Sequence, residues 1–286
     1  MLKKTARLSS GFIISMLLLG SMTGAYADDS ASSEGSANNL MTQMDKNVVP
    51  ENASESTESK IWSAELSLGL NMTSGNSNTL SSNMSFSGSR KIGADLFELV
   101  LEGAYGESEI EQELNGTTRL VDEVTDQKAT AFAQYKKKFT ERFYGYPFVE
   151  ALHNEPAQIE HRLTAGLGVG YHLIQTENTD LTLDGGSAYI FEKITDEEED
   201  DYMTFYLGVF HKLALTETSR IWEAFKIFPK MEELSDYLIK AEAGIETDIS
   251  SAFSLRFVVQ DNYDTDPPDG AEENDLSVIG SLVFKI

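Results

Sequence analysis

Three groups of residues in this 286-residue chain have types and spacings that could support chemistry. The first is the run Asp196-Glu197-Glu198-Glu199-Asp200-Asp201, with a looser Asp264-x-Asp266-x-x-Asp269 further on. Carboxylate oxygens grouped this way attract hard cations. Neither run has EF-hand spacing, and Pro267-Pro268 interrupts the second, so the expectation is solvated acidic loops that draw divalent cations, with no built metal site. The second group is the histidines His153, His161, His172 and His211, any of which has the chemistry of a base for a serine nucleophile. No Gly-x-Ser-x-Gly elbow accompanies them. The third is Gly166-x-Gly168-x-Gly170, which lacks the spacing of a dinucleotide fingerprint and precedes no helical pattern. Small residues at alternate positions of a strand ease curvature or keep an enclosed space open. With no cysteine in the chain, disulfides and thiolate metal sites are excluded. No catalytic or cofactor-binding residue stands out, so the chain is expected to need no cofactor and not to be an enzyme. A lipid hydrolase or acyltransferase is the enzymatic alternative.

The elements that carry these residues have a period of two. Leu66, Leu68, Leu70 and Met72 alternate with Ser67, Gly69, Asn71 and Thr73. The same alternation recurs through Leu163 to Leu173, Phe253 to Gln260 and Ser277 to Ile286. Successive side chains of a strand point to opposite faces, so each segment has one apolar face and one small or polar face. Twelve such segments are expected: 62–74, 78–91, 94–106, 125–138, 142–153, 160–174, 179–193, 202–215, 219–230, 236–248, 252–264 and 275–286. Most exceed the ~9–11 residues that a tilted strand needs to cross a bilayer.

The N-terminal residues have the three parts of an export signal. Lys3, Lys4 and Arg7 are followed by the short apolar core Phe12 to Leu19, and Ala25-Tyr26-Ala27 reads as a cleavage site. The expected organisation is a signal peptide over 1–27, a disordered periplasmic leader over 28–60 and one barrel over 61–286. The leader is rich in Ser, Asn, Glu and Asp and has no aromatic residue. The apolar core of the signal is far shorter than the ~20 residues of a membrane helix.

Charge and connection length fix an orientation. Lys and Arg number 22 against 47 Asp and Glu, a formal net charge of −25 that repels nucleic acid. The turns at Lys91-Ile92-Gly93, Phe139-Thr140-Glu141, Thr216-Glu217-Thr218 and Ile249-Ser250-Ser251 are short and lie near basic residues such as Arg90, Lys137 and Arg142. The opposite connections, including 107–124, 196–201, 231–235 and 265–274, are longer and acidic. Short periplasmic turns and longer external loops are the ordinary barrel asymmetry, with both termini periplasmic. Aromatics at segment ends (Trp62, Phe139, Phe143, Tyr144, Tyr202, Trp222, Phe228, Tyr237, Tyr263) are expected to form girdles at the two bilayer interfaces. Lys240, Glu242, Glu246, Arg256 and Lys285 fall on the inner face, where they are expected to pair across strands. Facing lipid near the midplane, each cation would cost about 2–4 kcal/mol. The fold class is therefore an all-β, antiparallel transmembrane barrel of about twelve strands, of outer-membrane type, in preference to a soluble sandwich.

The segment Trp62-Ser63-Ala64-Glu65-Leu66-Ser67-Leu68-Gly69-Leu70, followed by Thr73-Ser74-Gly75-Asn76-Ser77-Asn78-Thr79, resembles the opening of the YdiY-like salt-induced outer-membrane protein family. The resemblance extends through Asn274-Asp275-Leu276 to the closing strand. It implies an outer-membrane barrel domain of unknown function and a link to salt stress, and it brings no catalytic residues. Three roles are expected in descending order: a narrow, cation-preferring pore or envelope protein, a non-conducting structural or surface-interaction barrel, and a lipid-acting enzyme. The expected partners are outer-membrane lipids, lipopolysaccharide, the barrel-assembly machinery and divalent cations, with the protein monomeric.

Overall fold

A computed structural model describes residues 62–74, 79–114, 117–155, 157–196, 198–267 and 273–286. The expected signal peptide, the leader, the Gly75-Asn76-Ser77-Asn78 turn, Glu197 and Asp269 lie outside the described residues. Twelve strands follow one another. The first six are β1 (Trp62–Ser74), β2 (Thr79–Ile92), β3 (Asp95–Leu114), β4 (Thr117–Lys138), β5 (Phe143–Asn154) and β6 (Ile159–Gln175). The rest are β7 (Thr179–Ile194), β8 (Asp200–Ala214), β9 (Ser219–Pro229), β10 (Tyr237–Asp248), β11 (Phe253–Asp264) and β12 (Asn274–Lys285). Each pairs antiparallel with its neighbours in sequence, and β12 returns to β1 with Leu68 opposite Leu282 and Leu70 opposite Gly280. Closure leaves no unpaired edge. Among the described residues no helix is long and apolar enough to cross a membrane.

Ten strands begin and end within two residues of the sequence expectation. The exceptions are β3 and β4, whose pairing continues to Leu114 opposite Thr117, where the sequence reads as an acidic loop. A β-bulge between Gly106 and Glu107 resets the register where the apolar alternation stops. Beyond that point the backbone pairing continues without an apolar alternation in the sequence.

The alternation resolves into an inside and an outside whose polarity is reversed relative to a soluble protein. Outward side chains are apolar and open: Leu207 is 67% exposed, Leu167 66%, Leu70 59% and Leu255 56%. The inward row is polar and closed, with Glu98, Gln134, Asp180, Thr182, Glu242, Glu246, Ser254 and Ser277 all buried. In water that outward belt would forgo about 25 cal/mol for each Å² of apolar surface left uncovered.

The aromatic girdle is narrower than expected. Trp62, Phe139 and Phe143 do face outward at one rim, and Tyr237 stacks near Tyr263 at the other, with ring centroids 6.4 Å apart. Trp222, Tyr144, Tyr202 and Phe228 instead point into the lumen. Distance from a strand end sets a residue's height, whereas the side it faces follows the two-residue phase. Trp222 is in phase with inward Lys226, and Tyr202 with inward Tyr206.

Candidate functional site

The lumen is the candidate site, and its contents are stacked in levels. At the short-turn end Glu246 has no exposed surface. Cross-strand pairing sets it beside Arg220 on β9 and Arg256 on β11. Arg256 reaches it at 2.7 Å and also holds Glu65 on β1 at 3.0 Å. Arg220 bonds the other Glu246 oxygen. Lys285 lies 3.5 Å from that oxygen and 2.5 Å from Asp248. The inner-face expectation for Glu242, Glu246, Arg256 and Lys285 holds, and Lys240 also faces inward, 5.7 Å above the Phe228 ring. On the opposite wall Lys136 pairs with Glu98 at 3.3 Å, and Gln134 donates to the same carboxylate at 2.6 Å.

From the short-turn end up to mid-height the filling is aromatic, and glycines make room for it. Inward Tyr144, Tyr146 and Phe148 of β5 stand directly opposite Gly170, Gly168 and Gly166 of β6. A Cβ at any of these three glycines would collide with the facing ring. On the other side Tyr206 stands opposite Gly186, which in turn pairs with Gly168. The two tyrosines thus approach each other over a two-glycine hollow, and the Tyr206 hydroxyl donates to the Tyr146 hydroxyl at 3.1 Å. Tyr146 in turn donates to Asp184, which Lys226 approaches at 3.4 Å. Trp222 repeats the device over Gly244 and donates its Nε1–H to Glu242 at 2.5 Å. The small-residue run therefore neither opens the lumen nor merely eases curvature; it houses the rings that fill the space.

Above this layer the barrel opens into a vestibule of about 430 Å³ at the long-loop end. Its floor includes Tyr146, Phe148, Tyr206 and Phe228, and its wall carries Arg162, Lys226, Lys230 and Lys240. Three of these cations are tied to carboxylates: Arg162 to Glu192 at 2.6 Å, Lys226 to Asp184 at 3.4 Å and Lys230 to Asp236 at 2.5 Å. Lys230 lies just beyond β9. Burial disfavours its charge, but the hydrogen bond and charge of Asp236 outweigh that and hold its pKa above the ordinary lysine value. Further carboxylates, Glu198, Asp200, Asp264 and Asp266, line the same space and leave its balance negative. A second cavity of about 60 Å³ lies along β1 to β4 and β11 to β12, among Ser67, Asn71, Lys128 and Gln260.

The acidic run contributes to this mouth without converging on a point. Glu198, Glu199, Asp200 and Asp201 are exposed, and Asp196 occupies a left-handed turn at φ 65°. Tyr189 donates to Asp201. Among the described residues no three acidic or histidine side chains gather as a metal ion would require. The histidines separate as well. His153 Nδ1 contacts the Glu160 carbonyl at 2.8 Å, and His161 is exposed. His172 is buried in the lumen, its Nδ1 3.1 Å from Asp180 and 2.9 Å from the Thr182 hydroxyl. Both contacts fall on the same ring nitrogen, whereas a relay needs one partner on each. His211 lies 3.7 Å from Glu223 on the outward face. Sequence reading passed over the tyrosine bridge and the vestibule. Their one signal in the sequence is that Tyr146 shares the phase of Glu150 along β5.

The model of the family described as "Protein of unknown function, DUF481" matches residues 66–286, and the chain belongs to that family. Among curated proteins none matches it in sequence. Solved structures of similar fold include the NanC porin, at 7% identity and TM-score 0.51, covering 77% of this chain and 100% of that one. Another is the COG4313 outer membrane channel from Pseudomonas putida F1, at 8% identity and TM-score 0.50, covering 80% of this chain and 97% of that one. At such identities the likeness is one of fold: the barrel resembles bacterial outer-membrane proteins.

Proposed function

We propose that this DUF481 barrel resides in the outer membrane and works with its lumen filled, as an envelope barrel with an external cation-drawing vestibule and no open channel. The observation that supports this reading is burial. A water-filled pore leaves inward side chains wet, yet Glu246, Ser254, Ser277, Phe210 and Ala224 retain no exposed surface. Long acidic loops face outward and both termini face the periplasm. The signal peptide over 1–27 delivers the chain, the leader over 28–60 remains in the periplasm, and the assembly machinery inserts the barrel as a monomer. The role is non-enzymatic and belongs to the response to salt, where the negative mouth concentrates cations and bridges to lipopolysaccharide through divalent ions. Planar-bilayer recording of the refolded protein is the test: no steady current is expected, and a stable channel with the conductance of a water-filled lumen would defeat the reading.

A second reading, a narrow cation-preferring pore, is favoured by the surplus of carboxylates around the vestibule. The same recording separates the two, since a small current reversing at the cation equilibrium potential would replace the plug with the pore. Lipid turnover by the refolded protein would replace both with an enzyme.

A further inference from the structure

We propose that a notch on the outward face of β1, β2 and β3 binds a single glycerophospholipid, with Arg90 at its phosphate and the start of an acyl chain in the notch. The proposal rests on the reading above that the barrel spans a membrane with its short turns toward the periplasm, which makes this leaflet the phospholipid one.

The notch follows from cross-strand register. Arg90 stands between Trp62 and Phe97, Gly88 between Ala64 and Leu99, and Phe86 between Leu66 and Leu101. Outward positions on either side of the middle row carry large side chains, while that row has a glycine beside an alanine. The result is a hollow of about 620 Å³ walled by Trp62, Phe86, Phe97, Leu99 and the terminal residue Ile286 and floored by Ala64 and Gly88. Gly88 differs from the lumen glycines in a telling way. A Cβ there would meet only the Phe86 ring, at an ordinary 3.5 Å, whereas at Gly168, Gly170 and Gly244 it would collide with an aromatic ring. Packing within the protein does not require the hollow.

The rim supplies the charge. The Arg90 guanidinium carbon lies 4.8 Å from the Trp62 ring centroid, and the side chain is exposed. It lies two positions from Gly88, about 7 Å along a strand. That spacing sets a phosphate at the interface and hydrocarbon one step deeper. Guanidinium binds phosphate oxygens through paired N–H donors, and tryptophan favours the same interfacial depth. Exposed Lys91, Lys137 and Lys138 make this rim positive, which complements a phosphodiester.

The chain's own tryptophans provide the assay. Trp62 walls the notch, and Trp222, the other one, is sealed in the lumen at 1% exposure. Full-length refolded protein in maltoside micelles is titrated with phosphatidylethanolamine brominated in its acyl chains, and separately with an alkyl glycoside carrying the same brominated chain. Saturable quenching of Trp62 is expected with the phospholipid and only gradual, unsaturable quenching with the glycoside. Arg90→Gln should shift the midpoint about tenfold, the loss of one charge-assisted contact. Gly88→Leu should remove the saturable phase, and both variants should keep the heat-modifiable gel migration of a folded barrel. The proposal fails if lipid and glycoside quench alike or if neither variant moves the midpoint. It also fails if light scattering shows a dimer that Gly88→Leu breaks, since a second copy of the chain would then cover the notch. A chain that stays folded without detergent would instead remove the membrane reading, an outcome distinct from all of these.

Discussion

Replacing Glu246 by glutamine should destabilise the barrel by about 2–3 kcal/mol while leaving its fold intact. The size follows from how its three cations are placed. Removing one member of a buried ion pair costs about 3–5 kcal/mol when the remaining charge has no other partner. Arg256, with only 5% of its side chain exposed, is the deeply buried cation, but it retains Glu65 at 3.0 Å. Arg220 and Lys285 are 25% and 24% exposed, so each can turn part of its charge toward water, and Lys285 keeps Asp248. The expected loss therefore lies below the full range. Urea titration of the lipid-refolded protein, followed by tryptophan emission, should show the midpoint falling by about 1–2 M. Because Glu246 and Arg256 are opposed in register and in contact, the double variant with Arg256→Gln should lose less than the sum of the single losses. The shortfall should be at least about 1.5 kcal/mol. A Glu246→Gln stability within about 0.5 kcal/mol of the parent, or strict additivity, would show that the pair is hydrated and that the short-turn end of the lumen is open.

Outward exposure gives a sharper test of the membrane reading. Leu207 at the centre of β8 and Leu234 in the loop before β10 are 67% and 66% exposed, so arginine at either would matter equally little in water. In a bilayer Leu207→Arg should cost about 2–4 kcal/mol and Leu234→Arg nearly nothing, read from the same urea titration. Gly168→Val should overpack the hollow beneath Tyr146 and Tyr206 and lower stability by about 1–3 kcal/mol; an unchanged midpoint would mean the rings are not seated there. Tyr146→Ala combined with Tyr206→Ala should raise planar-bilayer conductance above that of the parent, and an unchanged current would place the obstruction at the ion-pair level instead.

The strands were legible because one physical rule, alternate residues on alternate faces, operates within every strand. An apolar outside and a charged inside make that contrast strong at positions such as Arg256 between Leu255 and Phe257. The limits appear where the rule is silent. In β3 and β4 pairing outruns the apolar pattern, since the extra residues need no particular face. Among the aromatics, Trp222 and Tyr144 stand at the height of an interface, and only their phase with Lys226 and Tyr146 reveals that they face inward. The vestibule was hidden for a further reason. Arg162, Lys230, Asp236 and Asp264 come from β6, the β9–β10 connection and β11, and they meet only because the sheet closes on itself.

Closure also ties the filling of the lumen to stability. A soluble barrel folds around an apolar interior, and burial of that interior is its main driving force. Here the apolar face is turned outward, and unpaired strands cannot enter hydrocarbon, so burial of that face comes together with pairing and does not by itself choose among partners. What distinguishes the native register is then the inward side: glycines set opposite rings, and carboxylates set opposite guanidinium and ammonium groups. A one-residue slip between β5 and β6 would bring Tyr146 against Leu167 or Val169, both of which face lipid, and would leave Gly168 without its ring. The residues packed inside the lumen are thus the ones that specify the barrel. Widening it through Tyr146 and Tyr206 should therefore raise conductance and lower the urea midpoint together, whereas a dedicated gate would let the two change independently.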